Sequence, residues 1–264
     1  MKYYFVLGIF PENTSKMDYY PVVHQPINEP STIRKILRIN AKATEEVGQL
    51  YVITHVDEGV YQRMMPIVWS ELRLYIRHIF FMGDFHTSKN YYGRLGHKVA
   101  YSGFQDILIE ANLTTGGTLN GILACSGTLY SKTSYIYRVV GEALERLLYK
   151  EFRNQNKTPN QEAVDEILLN LIKSPSKETL DFVTENAAVK AEITAYLKFQ
   201  KDVREGCLGP TAQYWMTVLD DINRAIYLDI AVKTNNFDLW KWCVHEMSCL
   251  FSVKMVKTIR GTFP

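Results

Sequence analysis

"QLYVITHVDEGVYQRMMPIVWSELRLYIRHIFFMGDFHTSKNYYGRLG", Gln49 to Gly96, is the stretch on which the reading of this chain turns. Gln49 to Val56 is rich in β-formers and stops at Asp57, which predicts a strand. "EGVYQRMMPIVWSEL" follows with helical spacing, and Asp57 stands where it can cap that helix. "LYIRHIFFM" is the next apolar run, and Asp84 and His86 follow it before helical spacing resumes. A strand, a helix and a strand in succession imply a crossover and a parallel pair. Asp57 and Asp84 are then expected at the same edge of one sheet, the edge where α/β sheets place their chemistry.

Upstream, Ser31 is a suitable N-cap for "TIRKILRINAKATEEVG", in which Ile33, Ile36, Leu37 and Ala41 share a face and Gly48 closes the end. "PENTSKMDYYPVVHQPINEP" holds four prolines and reads as an irregular loop. "KYYFVLGIF" reads as a strand and not as a signal peptide, because no small-residue cleavage site follows its short apolar run.

Downstream of Tyr101 the strand signals stop. "SGFQDILIEANL", "GTLNGILAC", "SYIYRVVGEALERLLYKEF", "NQEAVDEILLNLIK", "SKETLDFVTENAAVKAEITAYLKFQKDV", "TAQYWMTVLDDINRAIYLDIAVKT" and "FDLWKWCVHEMSCLF" all have helical spacing. Pro159, Pro175 and Gly209-Pro210 punctuate them. The expected fold class is α/β followed by all-α, with an α/β part over 1–100 and a helical part over 101–253.

The totals narrow the function classes. A net charge of +2 gives no basic field, and it neither demands nor excludes the concentrated basic face that a nucleic-acid binder usually shows. The four cysteines lie far apart with no C-x-x-C pair, which argues against a disulfide framework and a zinc module and suits a reducing compartment. No apolar run approaches the ~20 residues of a membrane helix. Phosphate-cradling glycine loops and nucleophile elbows are missing, so no small-molecule cofactor is expected. "TTGG", Thr114 to Gly117, is read as a turn.

Two readings stand for Asp57: a helix cap, or an acid that helps to hold metal ions for phosphoryl transfer. Asp84 is a cap or a binding residue. His86 is a metal ligand or a hydrogen-bonded core histidine, with His55, His78 and His97 as its histidine neighbours in sequence. Lys98, Tyr101 and Phe104 could stack on a nucleic acid or form a solvated connection. Tyr214, Trp215, Leu219, Trp240, Cys243 and Met247 fall on inward helix faces, with His245 and Glu246 on the other flank.

The stretches "GQLYVITHVDEGVYQRM", "MGDFHTSKNYYGRLGHKVAYSGFQDILIEANL", "GTLNGILACSGTLYSKTSYIYRVVGEALERLL", "GCLGPTAQYWMTVLDDI" and "LWKWCVHEMSCLF" carry a resemblance. In order and spacing, from about Pro21 to Phe251, they are similar to an uncharacterised family encoded in many copies in invertebrate and fish genomes. Its members look like products of mobile elements. The pattern also resembles the middle of Mutator-like and hAT-like transposases, whose RNase H-like fold holds two Mg²⁺ ions on acids at strand ends. On that resemblance Asp57 matches the second acid, His86 the histidine of a cysteine/histidine motif, and the helices after Tyr101 a helical insertion.

The chain departs from that pattern at several places. Gly83 or Asp84 stands where the motif's cysteine belongs. Leu129 and Lys132 replace a histidine and an arginine usual in the family. The strand with the first acid would lie before Met1, and Asp18 in the proline-rich loop is a poor substitute. Glu246 is the nearest candidate for the last acid. Lys254 to Pro264 does not continue the family pattern and is expected to be a tail from a shifted reading frame, poorly ordered or loosely attached.

The resemblance implies a partial RNase H-like sheet with a large helical insertion, in a transposable-element-derived fragment that lacks activity. Mg²⁺ is the cofactor only of an active relative. The alternative is that the helical part is a host-retained module that binds protein or nucleic acid without cleaving it, and an active metal-dependent DNA transferase or nuclease comes third. No membrane partner is expected, and the location is nuclear or cytoplasmic, not secreted.

Overall fold

The computed structural model describes residues 22–156 and 161–260, with the backbone alone over 249–260. The expected strand "KYYFVLGIF" lies outside the described residues. The chain divides into two compact units, whose described parts are 22–90 and 91–260. Among the described residues it is mostly helical, with one two-stranded parallel sheet.

In the first unit, α1 spans Pro30–Glu46. Its N-cap is Glu29 and not Ser31, and Glu29 makes no side-chain cap bond. Pro30 begins the helix instead, because its fixed φ already suits the first helical position. Gly48 follows the helix at φ +71°, a conformation glycine adopts without strain, and its N–H bonds the Glu45 carbonyl. Strand β1 is Val52–Val56, α2 is Glu58–Ser70, a 3-10 turn covers Leu72–Leu74, and β2 is His78–Met82. The second strand is thus shorter than "LYIRHIFFM", because Leu74 ends the 3-10 turn and Tyr75–Arg77 continue as bend and turn, with the His78 N–H bonded to the Tyr75 carbonyl. Helix α3, Asp84–Val99, leaves the end of β2. Its residues up to Asn90 belong to the first unit and those from Tyr91 to the second.

The strands pair parallel with Val52 opposite His78 and Val56 opposite Met82. The Gly83 N–H donates to the Val56 carbonyl at 2.8 Å, carrying the register one residue further. Asp57 and Asp84 therefore follow neighbouring strands at the same edge, as the alternation requires. One face of the pair is covered: Ile33, Leu37, Met64, Ile67, Val68 and Tyr75 form a core against which Val56 and Phe80 pack. The Arg34 guanidinium donates to Glu71 through Nε at 2.9 Å and Nη2 at 2.5 Å, tying α1 to the residue after α2.

The second unit takes the rest of α3 and then α4 Phe104–Glu110, α5 Gly116–Leu123, α6 Tyr130–Gln155, α7 Gln161–Lys173, α8 Lys177–Glu185, α9 Ala187–Arg204, α10 Pro210–Thr234 and α11 Phe237–Arg260. Gly116 and Gly117, expected in a turn, open α5. The segment read as one helical stretch from Ser176 to Val203 breaks at Asn186. The Asn186 carboxamide oxygen accepts from the N–H groups of Ala188 and Val189 and caps α9. Phe152, Phe199, Val203, Met216 and Leu219 form one core among α6, α9 and α10, and Val164, Val183 and Val189 form a smaller one among α7, α8 and α9. Leu219, Trp240, Cys243 and Met247 are buried as their spacing predicts, whereas Tyr214 and Trp215 are half-buried. The backbone of α11 continues as helix through the expected tail as far as Arg260, and residues 261–264 lie outside the described ones.

Candidate functional site

Asp57 sits between the end of β1 and the first turn of α2. It is the N-cap of α2: its Oδ1 accepts from the Gly59 N–H at 2.8 Å. Its other oxygen, Oδ2, lies 2.6 Å from His86 Nε2. Helix α3 begins two residues after β2, which places His86 in its first turn beside the end of the neighbouring strand. The Gly59 N–H, the largest influence, and then the charge and hydrogen bond of His86 hold the Asp57 carboxyl below the usual carboxylate range.

The other nitrogen of His86 faces a second carboxylate. Nδ1 is buried and 3.4 Å from Glu58 Oε2, without the alignment of a hydrogen bond. Glu58 Oε1 accepts from Asn90 Nδ2 at 3.1 Å and from Gln62 Nε2 at 3.2 Å. The sequence motif around Asp57 and His86 is thus a local network of five side chains from α2, α3 and the residue before α2. Its first-unit histidine is held between two carboxylates and has one nitrogen against each.

This arrangement limits the chemistry. A general base needs a nitrogen that reaches a substrate proton. Nε2 of His86 is occupied by Asp57, and Nδ1 is buried against Glu58. No group of three or more His, Cys, Asp or Glu among the described residues is arranged to hold a metal ion. Asp84 is the first residue of α3 and half-buried.

Glu246 belongs to the second unit. It lies on α11, and its Oε2 is 3.6 Å from Arg224 Nη2. Arg224 Nη1 is also 2.6 Å from Asp221 Oδ1, and Asp221 Oδ2 is 2.5 Å from Lys98 Nζ. The Tyr91 hydroxyl donates to Asp221 Oδ1 at 3.3 Å. Asp221 is only 4% exposed, and two cations and a phenol surround it. Lys98 is therefore engaged in an ion pair, and Phe104 is fully buried in a stack with Tyr137. Of the three residues considered for stacking on a nucleic acid, Tyr101 alone is exposed.

The structure brings Asp57 and His86 together and adds Glu58 and Asn90, which the sequence reading had not singled out. A signal existed for both: Glu58 is adjacent to Asp57, and Asn90 follows His86 by one helical turn. The contacts of Asp221 carried no such signal.

The model of one family, described as a domain of unknown function (DUF8702), matches residues 7–254, and the chain belongs to that family. No curated protein and no solved structure matches the chain. Among the described residues, no helix is long and apolar enough to cross a membrane.

Proposed function

We propose that this DUF8702 protein derives from a transposable element and does not catalyse cleavage or joining of nucleic acid. In this reading the first unit is part of an RNase H-like sheet and the helices of the second are an insertion. The position of Asp57 supports the ancestry: an acid at the end of a parallel strand, beside the strand end that leads to His86. The engagement of Asp57 carries the loss of activity. Both of its oxygens are used, one by the Gly59 N–H and one by His86. Two-metal catalysis requires a set of acids shared between the ions, and the Asp57 oxygen left by the helix cap meets the His86 imidazole of α3. The test is incubation of the purified chain with supercoiled plasmid and Mg²⁺ or Mn²⁺. The plasmid should stay intact. Metal-dependent nicking that disappears in Asp57→Asn would overturn the proposal.

A second reading, a retained binding module, is favoured by the outer face of the sheet. Ile53 is 57% and Ile79 38% exposed, opposite each other in register. His55 and Phe81 continue that face with ring centroids 5.1 Å apart. Parallel sheets normally have both faces covered, so this surface suits a protein partner more than a polyanion. Saturable DNA binding that weakens steeply with salt would favour nucleic acid instead.

A further inference from the structure

No further inference is drawn: the strongest candidate, the outer apolar face of the β1–β2 pair at Ile53 and Ile79, already stands behind the second reading above, and nothing among the described residues shows what covers it.

Discussion

His86 Nε2 lies 2.6 Å from Asp57 Oδ2 while the other oxygen of Asp57 caps α2 through the Gly59 N–H. One carboxylate thus serves a helix end and a neighbouring helix at once. The two roles separate by substitution. Asp57→Asn keeps an oxygen acceptor for the Gly59 N–H and loses the charge beside His86. Asp57→Ala loses both. The expected order of urea midpoints is wild type, then Asn, then Ala, with the larger step between Asn and Ala if capping dominates. An alanine variant as stable as wild type would show that neither contact matters in solution.

The same carboxylate makes stability depend on acid pH. Its folded-state pKa is depressed, chiefly by the Gly59 N–H and then by His86. A depressed carboxylate contributes stability that is present above its unfolded value, about 4, and lost as pH falls through the folded value. The difference in midpoint between wild type and Asp57→Ala should therefore be greater at pH 5 than at pH 3. An equal difference at both values would mean that the ionised form gives no advantage over the neutral one.

Gly96 lies in α3 where the backbone of Leu123, at the end of α5, approaches most closely: an added Cβ would overlap the Leu123 carbonyl oxygen. In an open helix, alanine for glycine gains about 0.5–1 kcal/mol. Here the neighbouring atoms are backbone and cannot rotate away, so overpacking decides the sign. Gly96→Ala should destabilise by on the order of 1–3 kcal/mol. Gly117→Ala is the control, because an added Cβ there meets no atom within 4 Å. Denaturant unfolding of both variants should move in opposite directions. Two shifts of the same sign would contradict the close helix crossing.

Local signals were legible in the sequence, and non-local ones were not. The strand–helix–strand alternation from Gln49 was readable because apolar runs rich in β-formers bracket a helical period, and parallel pairing followed from the crossover. Asp57 as a cap was readable because Gly59 is two residues away. The start of α1 was misplaced by one competing signal: Ser31 is a good cap residue, but Pro30 is a better first helical residue. The break at Asn186 was hidden because apolar periodicity runs on both sides of it. Spacing carries no information across elements, so His86 between Asp57 and Glu58, and Tyr91 and Lys98 on Asp221, could not be derived. Lys98 in particular was read from its aromatic neighbours in sequence, when its partner is 123 residues away.

The cysteines differ in a way that alkylation can measure. Cys207 is exposed, whereas Cys125 and Cys243 are buried. Burial pushes the Cys243 thiol up to about 11. The thiolate is the nucleophile, so Cys243 is disfavoured by both access and ionisation. Native protein treated briefly with iodoacetamide at pH 8 should be modified at Cys207 well before Cys125 or Cys243. Peptide mass mapping reads this directly, and denaturant should bring all three to similar rates. Rapid native modification of Cys243 would contradict its place between α11 and its neighbours.

The two acids of the second unit separate a structural role from a peripheral one. Asp221 is 4% exposed and faces Lys98, Arg224 and the Tyr91 hydroxyl. Its removal leaves two cations near each other without their shared counter-charge. Breaking a buried ion network by deleting one partner costs on the order of 3–5 kcal/mol, so Asp221→Ala should lower the stability of the folded chain by about that much. Glu246 stands at the edge of the same network, 3.6 Å from Arg224, with its side chain 35% exposed. A partly solvated pair of that length contributes roughly 0–1 kcal/mol, so Glu246→Gln should fall within that range. The contrast also bears on the candidate last acid. A transferase acid is held for metal ions and costs activity, not stability, when neutralised. Glu246→Gln should leave both stability and the absence of metal-dependent cleavage unchanged. A large loss of stability in Glu246→Gln, or a small one in Asp221→Ala, would reverse the assignment of which carboxylate carries the network between α3 and α10.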